Sequence, residues 1–189
     1  MTVSPELDRR FREAADAGGL VDVAYDVIDS PIGPLLLAAT EHGLCRISFD
    51  PDQDAELERL TRGHGVRVLR VPKRLGPAQR QLDEYFAGDR HEFELPADLS
   101  GVPDFQRRAL TALARVPFGQ VTTYGALARK IGNPRAARAV GGAMNRNPIP
   151  IVLPCHRVVG STGSLTGYGG GLHRKRALLE LEGLTLPLR

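Results

Sequence analysis

The chain has 189 residues, 42% hydrophobic and 25% charged, with two cysteines, no tryptophan and a net charge of +3. That length allows one large domain or two small ones with a real core, while two widely separated cysteines exclude a disulfide framework or a zinc ribbon and point to a reducing compartment. No apolar run approaches the roughly 18–20 residues that span a bilayer, and Glu6, Asp8, Glu13 and Asp16 stand where a secretory signal needs an apolar stretch, so a soluble, cytoplasmic protein is expected.

In chain order, residues 4–17 read as a helix. Ser4 supplies the cap and Pro5 the first helical position, with Leu7, Phe11, Ala14 and Ala15 on one face. Gly18 and Gly19 end it, giving a helical extension over 1–19. Residues 23–29, 35–39 and 44–49 read as short strands, separated by the turn signals Ser30-Pro31-Ile32-Gly33 and Glu41-His42-Gly43. A charged helix is expected at about 53–62 with Leu57 and Leu60 apolar, then an alternating strand at 66–71. Pro77 is expected to open a helix carrying Leu82, Tyr85 and Phe86, closed by Gly88. His42, His64, His91 and Cys45 fall at no recognisable ligand spacing, so no metal is expected, and Cys45 is taken as core. The segment 89–103 reads as the crossing between an α/β domain over 20–98 and a second domain over 99–189. There Asp104 is expected to cap a helix at about 105–115, with Phe105, Ala109, Leu110 and Leu113 inward, broken by Pro117-Phe118-Gly119.

Charge divides at the same place. Residues 1–104 carry 12 Lys and Arg against 20 Asp and Glu, residues 105–189 carry 13 against 2, and no acid occurs from Phe105 to Leu179. Such asymmetry suggests that the C-terminal half meets a polyanion. Mutual attraction of the two halves is the plainer alternative.

Within the basic half, Thr122 and Thr123 cap a short helix from Tyr124 to Ile131, and Gly132 stops it. Asn133 then caps a second helix with Pro134 at its first position, a helix-turn-helix pattern. At 100° per residue, Ala136, Val140, Ala143 and Met144 share one face, and Arg135, Arg138, Ala139, Gly142, Asn145 and Arg146 the other. Arginine beside alanine and glycine suits a narrow, negative minor groove about 6 Å wide. For Arg135 and Arg146, phosphate contact or plain solvation is an equal alternative, and Tyr124 could equally be a packing residue.

Then comes Asn147-Pro148-Ile149-Pro150-Ile151-Val152-Leu153-Pro154-Cys155-His156-Arg157-Val158. The apolar lead-in brings Cys155 from the interior, next to a histidine and an arginine. That setting fits a tuned nucleophile, or else a buried inert thiol. His156 is adjacent and could reach the sulfur through a water. On the last helix Glu182 falls between Leu178 and Leu179 on the apolar side, a carboxylate at a helix C-terminus that something positive must offset. Gly167–Gly171 lacks the Lys-Ser/Thr of a P-loop.

Pro154-Cys155-His156-Arg157-Val158, with Asn147-Pro148 upstream and Gly167-Tyr168-Gly169-Gly170-Gly171-Leu172 downstream, resembles the O6-alkylguanine-DNA alkyltransferases over about residues 20–185. The resemblance implies a ribonuclease-H-like α/β domain with a small antiparallel sheet, then a mainly α, winged-helix-like domain carrying the helix-turn-helix. It implies a direct-reversal repair protein that flips an O6-alkylguanine out of duplex DNA, moves the alkyl group to Cys155 and acts once, with O4-alkylthymine as a minor substrate. Glu182, His156 and Cys155 match the family's relay. Arg138 matches the residue that fills the base stack, and Tyr124 the one that handles the 3′ phosphate and the flipped base, with Arg135, Ala139 and Gly142 on the same DNA-facing surface. Asn147 braces the cysteine turn. Backbone carbonyls at Cys155 and Val158 hold the guanine amino group, Pro150 and Tyr168 flank the pocket, and Arg157 ties the turn to a neighbouring segment while bordering the binding site. Gly169 stands where some relatives have serine, which bears on adduct range. No cofactor is expected, the partner is lesion-bearing duplex DNA, and the state is a monomer in a bacterial cytoplasm, associated with the nucleoid and open to cooperative loading on DNA. A lesion sensor without chemistry, a Cys-His hydrolase and a transcription regulator are the rival readings. The retained cysteine counts against the first, the acid-free basic half against the second, and the lack of a sensor domain against the third.

Overall fold

The computed structural model describes residues 4–185. The outer limits of the expected extension and C-terminal domain, 1–3 and 186–189, lie outside the described residues. Two compact units are present, one of residues 4–83 with Leu95–Gly101, the other of Glu84–Glu94 with 102–185.

The first unit is α/β. Helix α1 (Pro5–Ala17) starts where Ser4 Oγ accepts the Leu7 N–H at 3.2 Å. Its apolar face is not all covered: Ala15 is buried, but Leu7 and Phe11 are 58% and 64% exposed. Strands β1 (Val23–Ile28), β2 (Leu35–Thr40) and β3 (Gly43–Phe49) form an antiparallel meander. Helix α2 (Gln53–His64), capped by Asp52, leads to β4 (Val68–Arg70). The sheet order is β3-β2-β1-β4, and β4 runs parallel to β1. The expected antiparallel sheet is therefore mixed. Alternation at 66–71 signals a strand but not its direction; the crossover through α2 brings the chain back parallel. Val23, Tyr25, Leu36, Ala38, Cys45 and Leu60 form one core cluster. Cys45 is core as expected, its thiol pushed up to about 12 by burial. The backbone of Pro96 and Asp98 pairs with Leu44 on the β3 edge. A Cβ at Gly43, whose φ is +133°, would run into Pro96, so only glycine fits this approach.

Helix α3 spans Pro72–Ala87. It opens at Pro72 and contains Pro77, five residues earlier than the proline signal suggests. Pro77 stands beyond the first turn, so its missing N–H removes the bond that would reach the Lys73 carbonyl.

The second unit is mainly helical. Helix α4 (Asp104–Leu113) follows Pro103, and Asp104 is its first residue rather than its cap, its carboxylate taken by Arg107 at 2.8 Å. Ala109, Leu110 and Leu113 are buried, joined by Gln106, while Phe105 is only half-buried. Thr123 Oγ1 accepts the Ala126 N–H and caps α5 (Tyr124–Lys130). Thr122–Thr123 also forms a two-residue strand, β5, parallel to β6 (Val158–Val159). Helix α6 (Ala137–Asn145) starts later than expected: Asn133 to Ala136 make a turn closed by the Ala136 N–H on the Asn133 carbonyl. Pro134 favours that turn as readily as a first helical turn, which leaves Arg135 ahead of the helix. Val140, Ala143 and Met144 are buried, as the wheel requires. Helix α7 (Leu172–Leu181) ends at Glu182, with Gly183 at φ +79°.

Candidate active site and nucleic-acid interface

The nucleophile candidate is placed by its own lead-in. Ile149 and Ile151 are fully buried, and Ile151 holds φ +74°, a left-handed conformation that costs a β-branched residue about 1–2 kcal/mol. Burying an isoleucine returns roughly 1.5–3 kcal/mol, enough to hold the kink. Asn147 braces it from inside. Its Nδ2 donates to the Leu153 carbonyl at 2.7 Å and lies 3.2 Å from Cys155 Sγ, and its Oδ1 accepts the Ile149 N–H at 3.2 Å. Cys155 then opens a single 3-10 turn, Cys155–Arg157, with 6% of its surface exposed. Burial pushes its thiol up to about 11, against the opposing pull of the Asn147 amide and the Lys175 charge. At neutral pH the sulfur is protonated, so nucleophilic use requires a base.

His156 is fully buried, with Nε2 2.8 Å from Glu182 Oε1, and its Nδ1 has no protein hydrogen-bond partner. Burial holds the imidazole below its ordinary value although Glu182 pulls the other way, so it rests neutral and able to accept a proton. Burial also opposes ionisation of Glu182. Hydrogen bonds from His156 and Arg157 outweigh it and hold the carboxyl down to about 2. Four groups serve this carboxylate: His156; Arg157 through Nε and Nη2 at 2.8–3.1 Å; Tyr85 Oη at 2.8 Å; and the Gly119 N–H at 3.2 Å. The offset to Glu182's place at a helix C-terminus is therefore a permanent guanidinium as well as a histidine.

Arg157 is 5% exposed, and its Nη1 donates to the Val116 carbonyl at 2.6 Å. It ties the cysteine turn to the Val116 segment, and its side chain is buried. The guanidinium is enclosed by partners inside the unit, and its bidentate fork suits a buried carboxylate.

A cleft of about 670 Å³ is lined by Thr123, Tyr124, Arg129, Arg138, Gly141 and Ser161 among others. Tyr124 Oη lies 3.0 Å from Thr166 Oγ1. Arg138 and Ala139 are exposed on α6, Gly142 is half-buried, and Arg135 is exposed in the preceding turn. Pro150 is buried and Gly169 exposed. A side chain at Gly169 would meet nothing closer than the Asn145 carbonyl at 3.7 Å, an ordinary contact. Burial, then the nearby cysteine, raises the Tyr168 phenol well above its usual value.

Sequence reasoning missed Tyr85, Arg129, Ser161 and, above all, Lys175. Lys175 is fully buried; its Nζ donates to the Val158 carbonyl at 2.6 Å and the Thr166 carbonyl at 2.9 Å. Burial brings it down to about 8, opposed by Cys155. The signal was present: Lys175 lies three and four residues before Leu178 and Leu179, on the apolar stripe of α7. Among the described residues, no cluster of three or more His, Cys, Asp or Glu could hold a metal, and no helix is long and apolar enough to cross a membrane.

A buried thiol next in sequence to a buried histidine–carboxylate pair lies in the same unit as a cationic helix-turn-helix. The chain belongs to the O6-methylguanine DNA methyltransferase family: residues 104–184 match its DNA-binding domain and residues 23–99 its ribonuclease-like domain. It is 46% identical to the methylated-DNA--protein-cysteine methyltransferase of Mycobacterium tuberculosis over 87% of this chain and 95% of that protein. It is 44% identical to the protein of the same name from Methanosarcina acetivorans, over 84% and 97%. The crystal structure of the Mycobacterium tuberculosis O6-methylguanine methyltransferase superposes with a TM-score of 0.74, covering 85% of this chain and 92% of that one. A structure of the Mycobacterium tuberculosis protein in complex with DNA gives the same score, covering 84% and 92%.

Proposed function

We propose that this protein repairs DNA by moving the alkyl group of O6-alkylguanine to Cys155, irreversibly and once per molecule. The observation that carries this reading is the Cys155 thiol held by Asn147 within one turn of the His156–Glu182 pair. His156 Nδ1 takes the thiol proton through a water, and Glu182 stabilises the imidazolium formed. The thiolate attacks the alkyl carbon in line. The S–C bond forms as the C–O6 bond breaks, and the electron pair passes to the guanine, which regains a proton. A thioether is a poor leaving group, so nothing restores the thiol.

O6 of guanine is inside the stack, so the base must be extruded, at a cost of a few kcal/mol that is smaller for a poorly paired lesion. Arg138, exposed on α6 at the mouth of the cleft, fills the gap; Tyr124 handles the adjacent phosphate and the base. Arg135, Ala139 and Gly142 face the minor groove, Pro150 and Tyr168 flank the base, and the Cys155 and Val158 carbonyls take its amino group. Gly169, where some relatives have serine, bears on adduct range, and O4-alkylthymine is a minor substrate. The working state is a monomer on duplex DNA.

The test is incubation with duplex bearing O6-methylguanine, followed by mass analysis of tryptic peptides. One methyl on the Cys155 peptide with loss of the lesion is the expected result. Binding with Cys155 unmodified would mean a sensor and would end this reading.

A further inference from the structure

A second group of cations lies outside the cleft lined by Tyr124 and Arg138. Arg107, Arg108, Arg115 and Lys130, with Thr111, Ala112 and Ile131, line a shallow cleft of about 330 Å³. Among the described residues, the only ion pairs these four cations make are with Asp104, at 2.8 Å from Arg107 and 3.9 Å from Arg108. All four are exposed. Four like charges sharing one carboxylate repel each other over the roughly 8–10 Å that physiological salt leaves unscreened. The acid-free stretch that contains them offers no relief. The floor is short-chained and carries one hydroxyl, and none of its lining residues is an exposed large apolar side chain of the kind that anchors a protein partner.

Helix α5 links the two clefts. Tyr124 at its start lines the first cleft, and Lys130 at its end lines this one, a rise of about 9 Å. The minor groove is about 6 Å wide, so a phosphate strand bordering a groove occupied by α6 runs within reach of long side chains at the far end of α5. We infer that the Arg107, Arg108, Arg115 and Lys130 cleft grips the phosphodiester backbone of the same duplex, to one side of the lesion. This rests on the reading of the protein as a DNA binder.

The test measures binding of an undamaged duplex of about 20 base pairs, at one protein per duplex, across a range of salt concentrations. Each lost phosphate contact lowers the slope of log affinity against log salt by about 0.9, so Arg115→Gln with Lys130→Gln should lower it by about 1–2. The thermal midpoint reports folding; should the double variant fail to fold, Arg108→Gln alone should lower the slope by about one. An unchanged slope overturns the inference. So does a change seen only with protein in excess over duplex, which would assign the cleft to a second copy of the protein. Because the duplex carries no lesion, this result does not depend on whether Cys155 accepts an alkyl group.

Discussion

Arg157 donates to both carboxylate oxygens of Glu182, at 2.9 Å to Oε2 and 2.8 Å to Oε1. The pair is buried, 5% and 4% exposed, and Arg157 also holds the Val116 carbonyl. Removing one partner of a buried pair strands the other charge. Arg157→Ala should therefore destabilise the protein by about 3–5 kcal/mol, read as a lower denaturant midpoint. A loss below about 1 kcal/mol would show that the other donors to Glu182 suffice.

Acid sensitivity follows from the same carboxylate. Glu182 stands at about 2 against an ordinary 4.5, so the unfolded chain binds its proton first as pH falls. Its contribution is complete above the ordinary value and is lost between about 4.5 and about 2. His156 is held below 6.5, so the unfolded chain also takes up that proton first, and the decline begins as pH falls through 6.5. Thermal midpoints should drop in both windows. In Glu182→Gln the lower window should flatten; an unchanged profile would remove Glu182 as its source.

Lys175 should set the reactivity of the sulfur. Its ammonium favours the Cys155 thiolate against burial, and it pins the Val158 carbonyl. In Lys175→Met the pH profile of Cys155 alkylation by iodoacetamide should move to higher pH. At fixed pH the rate should fall by about tenfold, the equivalent of about 1.4 kcal/mol. A profile that stays in place would limit Lys175 to holding the backbone.

Arg138→Ala should lower transfer from a lesion in duplex DNA while leaving transfer from the free O6-alkylguanine base close to normal. Unstacking costs a few kcal/mol, so loss of a side chain that fills the gap should cost on the order of tenfold to a hundredfold in rate on duplex. Equal losses on both substrates would remove the stack-filling role.

Asn147→Ala removes three contacts at once, to the Leu153 carbonyl, the Ile149 N–H and the sulfur. Leaving buried groups unpaired costs about 1–3 kcal/mol. Asn147→Asp keeps the acceptor for Ile149 but puts a negative charge beside the thiol, so it should slow transfer more than its stability loss explains. Comparing unfolding midpoints with single-turnover rates separates the two effects.

The elements with strong periodicity were legible from sequence: the meander, the buried stripe of α6, and Glu182 on the inner side of α7. The adjacency of Cys155 and His156 was legible directly, and the His156–Glu182 contact 26 residues apart followed from Glu182's place on the apolar side of α7. What was not legible depends on distant chain segments. The direction of β4 is decided by a crossover. Tyr85 reaches Glu182 from a helix 97 residues earlier. Arg157 was expected to tie the cysteine turn to a neighbour, but which neighbours, Glu182 and Val116, was not readable from sequence. Proline misled twice, at Pro77 and Pro134, because it suits a turn and a first helical turn equally well.

The four-residue ribbon of β5 and β6 has a further consequence. Thr123 runs directly into Tyr124, and Val158 follows directly on the Cys155–Arg157 turn. The start of α5 and the turn that carries Cys155 are thus fixed to each other by one parallel ladder. An α5 segment transplanted from another protein would arrive with its own offset and shift the turn that carries the sulfur. Altering lesion preference in this scaffold should therefore go through single side chains around the pocket, not through exchange of whole segments.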